Sequence, residues 1–202
     1  MVSLGKIKRF SLMRLLFFIA LFFSTNLMIF AKGFVVKDFD GDGKFDKVSI
    51  NFETKRIEFI LSSSDYEKQC SLTFVELDPN ARIEETKKGF KMTNTIGNAT
   101  FVSYFRYNRQ SRRIELAAIK RTVVCADLTK ENGETFFLVS TKELVAKWNS
   151  VDSVSSKVIT LPTLKTKIDL ESISLNNFND SFLNKFNQLS VVFYHSKIAK
   201  MN

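Results

Sequence analysis

Asp38-Phe39-Asp40-Gly41-Asp42-Gly43-Lys44-Phe45-Asp46 runs directly into Lys47-Val48-Ser49-Ile50-Asn51-Phe52. The first part has the pattern D-x-D-x-D-G-x-x-D, and the second alternates polar and apolar residues as a half-buried strand does. Four carboxylates in nine residues repel one another unless a cation sits among them. Ca²⁺ answers that need, because it is a hard ion that takes about six to eight oxygens in flexible geometry. The expected ligands are side-chain oxygens of Asp38, Asp40 and Asp42, the backbone carbonyl of Lys44 and a closing carboxylate from Asp46. Gly41 and Gly43 permit the positive-φ turns that wrap the backbone round an ion. The competing reading is a solvated Asp/Gly turn.

Outward from this loop the chain reads mostly as strands. Residues 34–37 lead into it and 47–52 leave it, with 56–61 as the next strand across the turn at 53–55. Residues 69–77, 90–94, 100–107, 113–124, 135–140, 144–148 and 158–161 follow, at intervals of roughly 8–12 residues. Asp152-Ser153 is expected at a turn, and residues 100–124 form a long hairpin across Asn108-Arg109-Gln110-Ser111. Phe178, Phe182, Phe186, Leu189 and Phe193 recur at spacings of three and four, which predicts a C-terminal helix over about 180–198. The expected fold is therefore mainly β, an antiparallel β-sandwich or barrel-like domain with a C-terminal α-helix. The many Phe residues, 21 in all, read as core.

The start of the chain sets the expected compartment. Lys6, Lys8, Arg9 and Arg14 precede an almost wholly apolar run over 15–30, and Ala31 is a small residue at a plausible cleavage point. Residues 1–31 are read as a secretory signal peptide, cut after Ala31 or Gly33, with a retained membrane anchor as the alternative. Residues 32–202 then make a single domain by length, periplasmic or secreted. Loss of the four basic residues lowers the formal charge from +9 to about +5. Nucleic acid is not expected as a partner, since no basic helix or recognition motif appears. In an oxidising compartment Cys70 and Cys125 are expected to pair, a disulfide that would stabilise the fold by about 4 kcal/mol in the chain-entropy model.

Catalytic signatures are scarce. His195, the one histidine, falls near the end of the predicted helix, a poor place for a triad. Glu84 and Glu85 would alternate to opposite faces of a strand and so make no acid/base pair. No nucleophile elbow, phosphate loop, dinucleotide fingerprint or zinc spacing is present, and the protein is read as not an enzyme. Aromatics interleave with Arg106, Arg109, Arg112 and Arg113 at the tip of the long hairpin. That tip could contact anionic groups or a protein partner, or simply be a solvated turn.

Closure at the ninth position distinguishes the acidic loop from an EF-hand, whose twelfth position is a bidentate Glu and is here Ser49. A D-x-D-x-D-G-x-x-D loop leading straight into a strand resembles the calcium loops of FG-GAP repeats. Beyond the loop, Phe105-Arg106-Tyr107-Asn108, Arg112-Arg113-Ile114-Glu115-Leu116-Ala117-Ala118-Ile119-Lys120-Arg121, Trp148-Asn149 and Ile159-Thr160-Leu161-Pro162 resemble a family of small exported bacterial proteins. Some of its members are periplasmic immunity proteins that inhibit peptidoglycan-cleaving effectors, with a fold similar to lysozyme inhibitors. The likeness covers most of residues 33–162. It implies a calcium-binding, non-catalytic protein that binds and inhibits a peptidoglycan hydrolase, its protein partner. The alternatives are an envelope polymer-binding module using the basic hairpin, and a cell-wall enzyme with carboxylates no motif reveals.

Overall fold

Val48 and Ile50 are buried and Lys47 is exposed, so the alternation after the acidic loop does form a half-buried strand. The computed structural model describes residues 33–125, 131–151 and 158–198. The predicted signal segment and the Asp152-Ser153 turn lie outside them. Among the described residues the strands form two antiparallel sheets, open rather than closed into a barrel, and one α-helix follows them.

The smaller sheet has the order β1-β2-β3-β4: β1 (Phe34–Lys37), β2 (Asp46–Asn51), β3 (Arg56–Ile60) and β4 (Lys68–Cys70). The larger is a meander of β5 (Arg82–Thr86), β6 (Gly89–Ile96), β7 (Ala99–Asn108), β8 (Arg113–Val123), β9 (Asn132–Leu138) and β10 (Glu143–Val151). The outer side of β10 is shared by two short strands. Leu164–Lys167 (β12) pairs with Glu143 to Ala146, and Val158–Thr160 (β11) pairs with Asn149 to Val151. The helix α1 (Asp180–Ile198) carries Phe182, Leu183, Phe186, Phe193 and Tyr194 inward. Phe186 meets Phe137 of β9, while Phe193 and Tyr194 flank Trp148 of β10. Phe178, just before the helix, joins Phe105 of β7 to Phe74 from the loop after β4. The inner faces of both sheets and of the helix thus share one core.

A bulge keeps the longest strand facing that core. In β8 the buried residues begin at even positions, Ile114 and Leu116, and continue at odd ones, Ile119, Arg121 and Val123. A strand of strict period two would turn one of these sets to solvent. The register shifts between Tyr104 and Phe105, so that Phe105 faces Leu116 while Tyr104 faces Ala118. Ala117 is the extra residue, and the bulge returns both halves to the same face. Gly133 meets a different constraint. It faces Trp148 across the β9–β10 ladder with φ +141°, and a Cβ there would lie 2.3 Å from the Lys147 carbonyl oxygen. Gly133→Ala is expected to lose at least about 2 kcal/mol in denaturant unfolding, since the obstacle is backbone that must itself move.

Two hairpins share one turn. Asn51-Phe52-Glu53-Thr54-Lys55-Arg56-Ile57-Glu58 and Asn108-Arg109-Gln110-Ser111-Arg112-Arg113-Ile114-Glu115 match in Asn, Ser/Thr, basic, Arg, Ile and Glu at equivalent places. Each Asn carbonyl oxygen accepts turn N–H groups, from Glu53 and Thr54 in one and Gln110 in the other. Each Asn amide then donates 2.8 Å to the Glu of the returning strand. Lys55 and Arg112 take the left-handed conformation, with φ 52° and 53°, and Ile57 and Ile114 enter the core.

The anticipated disulfide is absent: Cys70 and Cys125 are free thiols. Cys70 ends β4 in the smaller sheet, whereas Cys125 follows β8 in the larger one. A disulfide needs Cα atoms within about 7 Å, and sequence spacing carries no information on which sheet each cysteine joins. The strand expected over 69–77 is also shorter. Only Lys68–Cys70 pairs as a strand, because the chain then leaves the sheet to bury Phe74 against Phe178.

The alkaline limit of stability is set in part by Tyr194. Burial raises its pKa above the ordinary 10.0, and the Glu131 carboxylate pushes the same way. The unfolded chain then gives up this proton at lower pH than the folded one, so stability falls as pH rises past the ordinary tyrosine value. Thermal melts between pH 9 and pH 11 are expected to show that fall, and Tyr194→Phe should lessen it.

Candidate metal centre

The acidic loop joins β1 to β2, and its shape is written by its own side chains. Asp38 accepts from the backbone N–H of Gly41 at 2.6 Å through one oxygen and of Gly43 at 3.0 Å through the other. Asp40 accepts from Asp42 N–H at 3.2 Å, and Asp42 from Lys44 N–H at 2.8 Å. These short-range bonds are what Asp offers to turn backbone. They need left-handed residues between them, and Gly41 and Gly43 supply these with φ 82° and 85°.

The folding of the loop brings Asp38, Asp40 and Asp42 together, each offering a carboxylate oxygen within 4.8 Å of the others. Partial burial of Asp38 works to raise its pKa. The N–H groups of Gly41, Gly43 and Asp42, with the neighbouring Asp40, outweigh it and hold the carboxyl below its ordinary 3.8. Asp40 is only 9% exposed, and its Oδ2 is buried without a hydrogen-bond partner. A buried carboxylate oxygen left unmatched is costly, and a cation would match it.

Asp46 stands outside that group of three. It is 1% exposed at the start of β2, where one oxygen accepts from Phe39 N–H at 2.7 Å. The other accepts from Ser62 N–H at 2.8 Å. Asp46 thereby closes the loop on itself and ties it to the turn after β3. The Ser62 hydroxyl lies 3.0 Å from both Asp42 Oδ2 and Asp46 Oδ1, and its one proton can serve only one of them at a time. Ser62 was not legible as part of the site, because it sits 16 residues beyond Asp46 and arrives through the β2–β3 pairing. The donor set is all oxygen, rich in carboxylate and backed by backbone N–H, which suits Ca²⁺ better than a soft metal.

The four hairpin arginines are divided among three places. Arg106 lies exposed on β7 opposite Glu115. Arg109 reaches the acidic loop, where a Cβ on Gly41 would stand 2.6 Å from its Nη2. Arg112 and Arg113 line a separate polar recess with Gln69, Ser174, Asn176 and Asn177. His195 is exposed near the end of α1, its ring beside Tyr194. No family model, curated protein or solved structure matches the chain.

Proposed function

We propose that this is an exported, non-catalytic protein that binds Ca²⁺ in the 38–46 loop and binds and inhibits a peptidoglycan hydrolase. The observation that carries the metal reading is the meeting of Asp38, Asp40 and Asp42, with Asp40 Oδ2 buried and unmatched. Asp38, Asp40 and Asp42 would ligate through side chains and Lys44 through its carbonyl. Asp46 would close the set through Oδ2, which accepts only from Phe39 N–H and so keeps a lone pair. The ion would supply charge neutralisation and rigidity to a loop held between two strands.

The inhibitor reading rests on the resemblance of residues 33–162 to exported immunity proteins, supported by a mainly β domain that carries the acidic loop. It is tested by mixing the purified protein with lysozyme-type hydrolases on peptidoglycan, in calcium and in chelator. Inhibition that saturates at a defined stoichiometry is the expected result. Undiminished hydrolysis with every hydrolase class, in calcium, would sink the inhibitor reading while leaving the metal reading intact. Arg109→Ala is expected to tighten calcium binding about two- to five-fold, since it removes a positive charge lying over the loop in partly screened surroundings. Calorimetry on the two proteins at low salt checks this.

A further inference from the structure

The two hairpins with matching turns differ in what their basic residues do. In the first, Arg56 Nε donates to Thr73 Oγ1 at 2.9 Å, and the Lys55 ammonium reaches the Val75 carbonyl at 3.5 Å. Their counterparts in the second, Arg113 and Arg112, have no hydrogen-bonding or acidic partner among the described residues. Glu115 lies two residues along β8 on the same face as Arg113. Its oxygens already accept from Asn108 Nδ2 at 2.8 Å and Ser111 Oγ at 2.7 Å.

Beside these guanidinium groups the chain builds a recess of about 390 Å³. Its walls come from three separate parts of the sequence: Gln69 on β4, Arg112 and Arg113 at the hairpin, and Ser174, Asn176 and Asn177 around the short turn Leu175–Asn177. That turn is fixed in place. Leu116 N–H donates to the Ile173 carbonyl, Glu115 bridges Ser174, and Leu175 is fully buried. Asn176 Nδ2 also donates to Gln69 Oε1 at 3.3 Å, so two of the wall amides hold one another in position.

We propose that this recess is a binding site for a sugar-sized ligand carrying one oxyanion, a carboxylate or a phosphate. Two guanidinium forks without an internal acid match the paired oxygens of such a group. Side-chain amides and a serine hydroxyl both donate and accept, which is what hydroxyl groups on the rest of the ligand require. The volume lies within the range of about 300–1,000 Å³ usual for small-molecule sites. The site is independent of the metal loop and does not rest on the inhibitor reading.

The test is titration of the full-length protein with glucuronate, glucose 6-phosphate, glucose and inorganic phosphate at low salt, followed by calorimetry or NMR. One or both of the anionic sugars is expected to bind, at least about ten-fold tighter than glucose, as two charge-assisted contacts require. Whether glucuronate or glucose 6-phosphate binds tighter distinguishes a carboxylate carrier from a phosphate carrier. Arg113→Gln and Arg112→Asn are each expected to weaken binding about ten-fold. Asn tolerates the left-handed backbone at position 112, and a thermal melt confirms that both variants fold. Asn176→Ala should weaken the sugars more than it weakens inorganic phosphate. Equal binding of glucose, binding of inorganic phosphate as tight as that of the sugars, indifference to both arginine variants, or no binding at about 10 mM ligand would each overturn the assignment.

Discussion

Phe178→Ala is expected to destabilise the protein by about 3–5 kcal/mol, the usual cost of emptying a buried phenylalanine site. Phe178 has no exposed surface, and its ring lies 4.9 Å from that of Phe105 and 5.8 Å from those of Phe74 and Phe182. Those three neighbours belong to the larger sheet, the loop after β4 and the helix, so one residue joins three layers. None of the three can move into the gap without leaving its own contacts, and relaxation would recover little of the loss. A domain of this size is stable by about 5–15 kcal/mol, so the variant would unfold at much lower denaturant. A midpoint shift worth less than about 1 kcal/mol would mean that Phe178 does not join the layers in this way.

Arg121→Leu is expected to cost about 3 kcal/mol, and the further change Glu131→Leu to return part of it. Arg121 is 4% exposed on the core face of β8, facing Phe101 on one side and Thr135 on the other. Thr135, and Ala146 beyond it, are small, which leaves space for the long side chain along that row. Its guanidinium forms a two-pronged pair with Glu131, at 2.5 and 2.8 Å, and its Nε donates to Asn187 on α1. Removing the arginine alone strands a carboxylate that is 87% buried, since its side chain is 13% exposed. Removing both charges leaves no buried charge unpaired, and only Asn187 Oδ1 loses its donor. If the double variant is no more stable than Arg121→Leu, the stranded charge is not the source of the loss.

How much of this was legible in the sequence depended on whether the pattern was local. Helix α1 was readable to within a residue or two, because Phe182, Phe186 and Phe193 repeat on one face, with Phe186 and Phe193 packed on the larger sheet. Strand β5 escaped notice, since Ile83 is the only apolar residue in Arg82-Ile83-Glu84-Glu85-Thr86 and a lone one gives no alternation. The same holds for β12, whose Leu164-Lys165-Thr166-Lys167 pairs only with the edge of β10. The acidic loop was legible because its contacts span a few residues. Ser62, Arg109 and the recess below Arg113 were not, since each depends on sheet topology that brings distant segments together. The repeated Asn…Ser/Thr-basic-Arg-Ile-Glu turn was a signal available in the sequence. Aligning residues 51–58 with 108–115 would have exposed it, and with it the unequal fate of the two pairs of basic residues.

Asp38, Asp40 and Asp42 are proposed to hold a calcium ion. Calorimetric titration of the metal-free protein with Ca²⁺ tests it most directly, alongside Asp40→Asn and Asp42→Asn. One ion per chain is expected, with Mg²⁺ bound more weakly because it demands octahedral geometry and gives up water reluctantly. Each variant should lower calcium affinity by at least about ten-fold, as the loss of one charged ligand implies. Absence of calcium binding at millimolar concentrations, or affinity unchanged in both variants, would contradict the claim and leave the loop a solvated turn.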